Sequence, residues 1–329
     1  MNIIDIAKLC GLSKSTVSRY LTGGSVSAKS AEKIARVIEQ TGFEANVSAS
    51  RLKTNRSNLV GVLIDGIEST SIARTISGIN DRCRENGYLP FVVFNRAKQD
   101  ASVESIRTLI RQGVDGIIFG TMGITNEQRS YLRQCGKPVL VLGQRDEEFH
   151  YCTVDDQAAG FMLGKHVRDI GARKVAYLSY PHANRAIGVE RTEGFLSAFD
   201  CESHPDEPSQ VSVIESSYAY IDDVTPFIEQ AFRMDPDCIV AASDRIAFKV
   251  LESAAAHGIH IPQDCMLAGF GNNPADAIPS VSLTSIDFDY QAMGRHAAAQ
   301  IIALIQGDEV PRKSTDYAIT LIERGSTKR

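Results

Sequence analysis

Residues 2–21 read Asn2-Ile-Ile-Asp-Ile-Ala-Lys-Leu-Cys-Gly-Leu-Ser-Lys-Ser-Thr-Val-Ser-Arg-Tyr-Leu21. Ile3, Ile6, Ala7 and Cys10 follow the i, i+3, i+4, i+7 spacing of a helix with one apolar face. Asn2 is placed to cap that helix, Asp5 three residues on can return the bond, and Gly11 stops it. Ser13 then caps a second helix in which Val17 and Leu21 face inward while Lys14, Ser15, Ser18 and Arg19 face outward. A third helix is expected from the Ser27 cap to about Thr41, burying Ala31, Ile34, Ala35 and Ile38 and ending at Gly42. Two short helices joined by a tight turn and closed by a third form a helix-turn-helix, whose second helix offers the side chains of its first turns to base edges. Lys14, Ser15 and Arg19 stand there.

The charge distribution agrees with a polyanion partner for this head alone. Residues 1–58 hold nine Lys and Arg (8, 14, 19, 29, 33, 36, 51, 53, 56) against four acids (5, 32, 39, 44), a balance of +5 that leaves −10 of the total −5 for the rest. A chain of 329 residues exceeds one core, so at least two units are expected. With 43% hydrophobic and 23% charged residues the composition is that of a globular protein. The opening residues lack the pattern of a secretory signal, and no apolar run approaches the roughly 18 residues of a membrane span, so the expected location is the cytoplasm. The cysteines at 10, 83, 135, 152, 201, 238 and 265 form an odd set without a C-x-x-C pair, which suggests reduced packing residues and neither disulfides nor metal.

The run Ile3 to Arg19, continued by Val26-Ser27 and Gly42-Phe43, closely resembles the N-terminal signature of the LacI/GalR family of bacterial repressors. The resemblance implies that Lys14, Ser15 and Arg19 read bases, with Ser13 and Thr16 beside them at the DNA. It also places Ala45–Lys53 at the family's hinge helix, where Ala49 and above all Leu52 would enter the minor groove of the operator; an apolar wedge there unstacks a base step and bends the duplex. Ala45 stands where the family usually has proline, and Ser50 where arginine is common. The expected domains are a helix-turn-helix over 1–45, a hinge over 46–58 and an effector domain over 59–329.

From residue 59 short β-branched runs alternate with helical stretches, the pattern of parallel sheets with crossover helices. Strands are expected at Leu59–Ile64, Phe91–Phe94, Gly116–Phe119 and Val139–Leu142, with helices over 72–86, 103–112 and 126–135. A second series has strands at Val175–Leu178, Cys238–Ala242 and Met266–Phe270, helices near 158–169, 191–199, 220–232 and 245–257, and a last strand Ile319–Arg324. Two α/β lobes of this order resemble the family's periplasmic-binding-protein-like effector domain, with a ligand cleft at the carboxyl ends of the strands.

Several residues at those ends are candidate effector ligands. Arg191, in Glu190-Arg-Thr-Glu-Gly-Phe195, resembles the family's effector-gripping arginine. Asp244 is either a helix N-cap or a ligand. Ser69, Thr70 and Ser71 offer hydroxyls that suit a polyol or simply cap a helix. Arg145 engages an anion or pairs with Asp146. Asn272 substitutes for the aspartate that relatives carry at position 271, which is glycine here, and Tyr290 lines the cleft or belongs to the core. Tyr180-Pro-His182 and Tyr290 are similar to trehalose-6-phosphate-responsive members, although Gly66 replaces an arginine expected there.

An enzyme is not indicated. Gly269-Phe-Gly-Asn-Asn-Pro lacks the third glycine of a dinucleotide fingerprint, and the histidines at 150, 166, 182, 204, 257, 260 and 296 give no ligand pair on one helix, which leaves them as surface or interface residues and implies no cofactor and no metal. The expectation is a homodimeric repressor on double-stranded operator DNA, controlled by a small sugar or sugar phosphate. A purine, another metabolite or a protein corepressor is the alternative effector. No leucine heptad follows Arg324, so a dimer is expected and not a tetramer.

Overall fold

The chain was analysed as a computed structural model, which describes residues 1–21, 24–43, 56–65, 69–95, 101–120, 123–182, 184–200, 209–216, 224–314 and 317–328. It divides into two units, Met1–Ser57 and Asn58–Arg329. The hinge helix expected over 46–58, with Ala49 and Leu52, lies almost wholly outside the described residues.

In the first unit, α1 (Ile3–Cys10) begins with the full capping box: Asn2 Oδ1 accepts the Ile4 and Asp5 amides, and the Asp5 carboxylate accepts the Asn2 amide. Gly11 closes it at φ 61°, in the left-handed region that glycine adopts without penalty. The helices α2 (Lys14–Leu21) and α3 (Ala28–Thr41) follow, the latter capped by Ser27. Ile6, Val17 and Ile34, one from each helix, are fully buried and meet in one small core. Ala35, expected inside, is exposed. It lies about 100° round the helix from Ile34, and the inward stripe continues instead through Val37 and Ile38.

The second unit opens with β1 (Leu59–Asp65), α4 (Thr70–Glu85), β2 (Leu89–Asn95), α5 (Ala101–Arg111), β3 (Gly116–Gly120), α6 (Asn126–Gln134), β4 (Val139–Leu142) and β5 (His150–Cys152). These form the first lobe, in which Val62 stands between Val92 and Ile118 in parallel register. The helix α7 (Asp156–Asp169) leads to the second lobe, built from β6 (Lys174–Ser179), a π-helical turn over Arg185–Glu190, α8 (Arg191–Ser197), β7 (Gln210–Glu215), α9 (Thr225–Arg233), β8 (Cys238–Ala241), α10 (Asp244–Ala256), β9 (Met266–Phe270) and β10 (Thr284–Phe288). The helix α11 (Tyr290–Gln306) leads back to the first lobe, where β11 (Lys313–Ser314) pairs with β5, and β12 (Ile319–Ile322) ends in the second, antiparallel to β10. The sheets run β11-β5-β4-β3-β1-β2 and β12-β10-β9-β8-β6-β7. Each lobe thus repeats one doubly wound order, whose crevice at the carboxyl ends of the strands is where ligands bind.

β5, β7, β10, β11 and α11 were not among the expected elements, and the last strand ends at Ile322, two residues short of its expected end. β5 is only three residues long, and Thr284-Ser-Ile-Asp-Phe288 mixes polar and apolar residues because both Thr284 and Ser285 are buried with partners. α11 shows no clear apolar stripe because it buries Met293, Gly294, Ala297, Ala298, Ile301 and Ile302 between α4 and the first sheet. Of the cysteines, Cys10, Cys83, Cys152, Cys238 and Cys265 are buried free thiols and Cys135 is a half-buried one; Cys201 is not among the described residues. His166 is not a surface residue: it is largely buried, with Nε2 3.2 Å from the Thr327 hydroxyl.

Candidate functional site

In the head, the hydroxyls flanking the second helix are organised by one another. Ser13 Oγ accepts the Thr16 amide at 3.1 Å and lies 2.8 Å from both the Ser15 and the Thr16 hydroxyl oxygens. Lys14, Ser15 and Arg19 are exposed on the same face as Ser18. Gly24, which the sequence reading passed over, packs on the Arg19 stem: a Cβ there would collide with Arg19 Cγ. The missing side chain of Gly24 therefore leaves room for the base of the Arg19 side chain.

In the second unit the strand ends carry a connected polar cluster. Arg191 opens α8 and is 3% exposed. Its Nε donates to Asp156 Oδ1 at 2.8 Å, Nη2 donates to the same oxygen, and Nη1 donates to the Ala242 carbonyl at 2.6 Å. The guanidinium also lies 4.7 Å from the Phe270 ring centre and 5.2 Å from that of Phe288. Burial would lower the Arg191 pKa, but the Asp156 carboxylate outweighs it and raises the pKa above the ordinary value. Tyr290, the first residue of α11, shares this surrounding, and burial pushes its phenol pKa up.

Asp244 is not the N-cap of α10; Ser243 holds that position, without a side-chain cap bond. The Asp244 carboxylate instead accepts the Ser285 hydroxyl at 2.7 Å and the Asn273 amide at 3.1 Å, fixing the turn after β9. This accounts for Gly271: a Cβ there would stand 3.0 Å from Asp244 Oδ2, and the residue sits at φ 134°, so an aspartate at 271 would meet a like charge in a strained backbone. Asn272 turns its carbonyl oxygen to Arg324 Nη2 at 2.6 Å, and the neighbouring Asn273 donates to Thr70 Oγ1 in the other lobe at 2.5 Å. Ser69 occupies the N-cap position of α4 but makes no cap bond, its hydroxyl lying 2.5 Å from that of Ser71.

Arg145 does not pair with Asp146. The Asp146 carboxylate is taken by Arg129 at 2.7 Å and by the Glu148 and Phe149 amides, while Arg145 Nε donates across the lobes to Glu190 at 3.2 Å. Arg74, which the sequence did not mark, joins the cluster: its Nη1 donates to Asp287 Oδ1 at 3.0 Å and its guanidinium lies 5.7 Å from the Tyr290 ring centre. Asp276, which the sequence did not mark, is fully buried beside the Asp244 carboxyl, with Arg324 Nη1 standing 4.0 Å away. Burial first, and the adjacent Asp244 carboxylate second, push the Asp276 pKa up to about 8.

A basic helix-turn-helix unit in one chain with two doubly wound lobes, polar residues of both lobes meeting at their strand ends, defines a DNA-binding transcription regulator. Residues 2–46 match the family "Bacterial regulatory proteins, lacI family" and residues 165–327 match "Periplasmic binding protein-like domain". The chain thus joins a DNA-binding domain of the LacI family to a periplasmic-binding-protein-like domain, and the relatives it resembles are transcription regulators. It is 29% identical to the sucrose operon repressor of Staphylococcus xylosus over 314 residues, 95% of this chain and 96% of that one. It is 28% identical to the HTH-type transcriptional regulator TreR of Escherichia coli strain K12, over 95% of this chain and 96% of that one. Its fold matches the lac repressor dimer bound to operator and the anti-inducer ONPF with a TM-score of 0.86 at 19% identity, covering 99% of each chain. Among the described residues no helix is long and apolar enough to cross a membrane.

Proposed function

We propose that the chain is a homodimeric, cytoplasmic repressor of a carbohydrate-utilisation operon whose hold on its operator is controlled by a sugar or sugar phosphate in the cleft between the lobes. Lys14, Ser15 and Arg19 read bases, Ser13 and Thr16 set the helix on the backbone, and the 46–58 hinge brings Ala49 and Leu52 to the minor groove. The head spans 1–45 and the effector domain 59–329. The observation that carries the effector class is the meeting of hydroxyl, amide, carboxylate and aromatic groups at the strand ends: Ser69, Thr70, Ser71, Asp244, Asn272, Arg191 and Tyr290 stand in or against one cluster. Such a mixture suits a polyol, which needs donors and acceptors around its rim and an apolar surface against its ring face. Arg145 and Arg185 approach Glu190 at 3.2 and 3.5 Å, so an anionic group displacing that carboxylate would meet two guanidiniums. The relatives named for sucrose, and the regulator solved with cellobiose, fit the same class.

A second copy has a face to cover. Leu89 and Phe94 are 58% and 46% exposed on the edge strand β2, beside an open groove of 430 Å³ lined by Ile72, Ile76 and Phe94. The deciding experiment is a thermal-shift series on the full chain with sucrose, trehalose, trehalose 6-phosphate, cellobiose and glucose 6-phosphate. A true effector at a hundredfold its Kd adds about 2.7 kcal/mol to the effector domain and raises its midpoint. No shift with any of these, or a shift only with hypoxanthine or guanine run beside them, overturns the sugar reading.

A further inference from the structure

The helices that carry the chain between the lobes begin alike: Asp155-Asp-Gln-Ala-Ala-Gly160 starts α7 and Asp289-Tyr-Gln-Ala-Met-Gly294 starts α11, both D-x-Q-A-x-G. In each the aspartate caps the helix, accepting the Ala158 amide at 3.0 Å and the Ala292 amide at 2.9 Å, with closely matching backbones of φ −86°, ψ 84° and φ −76°, ψ 68°. The crossings that follow also match. Gly160 lies on the Arg191 carbonyl and Gly194 on that of Gln157; Gly294 lies on the Thr75 carbonyl and Gly78 on that of Gln291. A Cβ at any of the four would collide with that carbonyl. Thr75 and Arg191 each stand three residues before the glycine of the receiving helix.

Each crossover helix is therefore packed backbone to backbone on the lobe it enters, α7 on α8 and α11 on α4. That leaves the capped aspartate as the joint to the lobe it has left. One residue before Thr75 and Arg191 stand Arg74 and Glu190, and both reach across the cleft. Arg74 pairs with Asp287 at 3.0 Å, two residues before the Asp289 cap, and Glu190 pairs with Arg145 at 3.2 Å. The first lobe supplies the cation in both pairs, from the receiving helix in one and from the loop after β4 in the other.

We infer that the effector domain opens and closes about two copies of one hinge unit, and that the ion pairs Arg74–Asp287 and Arg145–Glu190 are the latches of the closed arrangement. The inference rests on the lobes being an effector domain and says what sets their balance before any effector binds. The side chains are 30% and 30% exposed in the first pair and 36% and 13% in the second. Partly solvated pairs of this kind are worth at most a few-fold each. That is the strength a reversible latch needs, since a pair strong enough to lock the lobes would leave an effector nothing to shift. Arg185, in the same turn as Glu190 and 3.5 Å from it, belongs to the second lobe and competes with Arg145 for that carboxylate without crossing the cleft.

The test uses the full chain without DNA or effector. Spin labels at Asn86→Cys in the first lobe and Lys249→Cys in the second, in a Cys135→Ser/Cys201→Ser background and diluted with unlabelled chain, report the interlobe distance by pulsed electron paramagnetic resonance. Losing both pairs, in R74A/E190A, should raise the population at longer distance by roughly 3- to 10-fold. Raising salt from about 0.05 to about 0.5 M should move the parent the same way. The charge-exchanged R74D/D287R should return to the parent distribution, which a merely structural role would not predict. The inference is overturned if R74A/E190A, folded by circular dichroism, keeps the parent distribution, or if the exchanged pair behaves like R74A alone. Neither result bears on whether the head binds an operator, which is read separately with DNA.

Discussion

The side chain of Arg191 is turned into the protein, with three of its five N–H directions held by Asp156 and Ala242. Removing it does more than take away a grip on a ligand, because it leaves the Asp156 carboxylate buried without its cation. Arg191→Ala is therefore expected to destabilise the effector domain by about 3–5 kcal/mol, and R191A/D156A by clearly less than the sum of the single variants. Urea unfolding followed by circular dichroism measures both; a parent-like midpoint for R191A would show that the pair matters to ligand alone. Arg19→Ala belongs to the other unit. It should weaken specific operator binding by about 1–3 kcal/mol, read by fluorescence anisotropy, and leave the melting of the effector domain unmoved. Asp276 gives a pH dependence. Its folded-state pKa of about 8 lies above the usual carboxylate value, so the native state holds a proton that the unfolded chain has released. Stability from this group is complete below the unfolded value near 4 and falls as pH rises to about 8, where the native carboxyl also ionises. Asp276→Asn should flatten the stability profile between those limits; an unchanged slope would mean that Asp276 is ionised throughout.

Among the elements, those that announce their ends were legible and those that answer to a neighbour were not. α1 and α3 carry their caps and stops in sequence, Asn2 with Gly11 and Ser27 with Gly42, because capping is satisfied within a few residues. The crossing of α11 on α4 depends on Gly78 and Gly294, which lie over two hundred residues apart and become partners only once both sheets are formed. A methyl group placed there has no free volume. Gly294→Ala is expected to cost about 1–3 kcal/mol through forced separation of the helices, seen as a lower thermal midpoint, against the gain that alanine brings to an unpacked helix position. The candidate site divides in the same way. Arg191 was singled out by its likeness to a family motif, and Thr70 and Tyr290 by their places after a strand and at the last crossover, while Arg74, Asp287, Glu190 and Asn273 escaped notice because each has meaning only across the cleft.

For the whole molecule, the uneven charge makes a prediction that no single residue does. With the +5 of residues 1–58 opposed by −10 in the remainder, DNA binding should come from the head and fall steeply with salt. The slope of log K against log salt should be near −0.9 for each phosphate neutralised. A titration of the selected operator between about 50 and about 200 mM salt checks this, and an almost flat line would exclude phosphate-led binding. Sedimentation at micromolar concentration should give a dimer, with Leu89→Asp or Phe94→Asp shifting it toward monomer; a stable tetramer, or no effect of either charge, would mean that another face is used.

The sequence alone determined the helix-turn-helix, the two-unit division, the parallel α/β class and the family, because these rest on short-range signals: caps, periodicity, charge balance and a contiguous motif. Only the tertiary structure decided which polar residues meet. The Asp156–Arg191 pair, the Asp244–Asp276 contact and the two latches join positions from 32 to 213 residues apart. Their energies come from distance and burial, and neither exists until the sheets have placed the strand ends side by side.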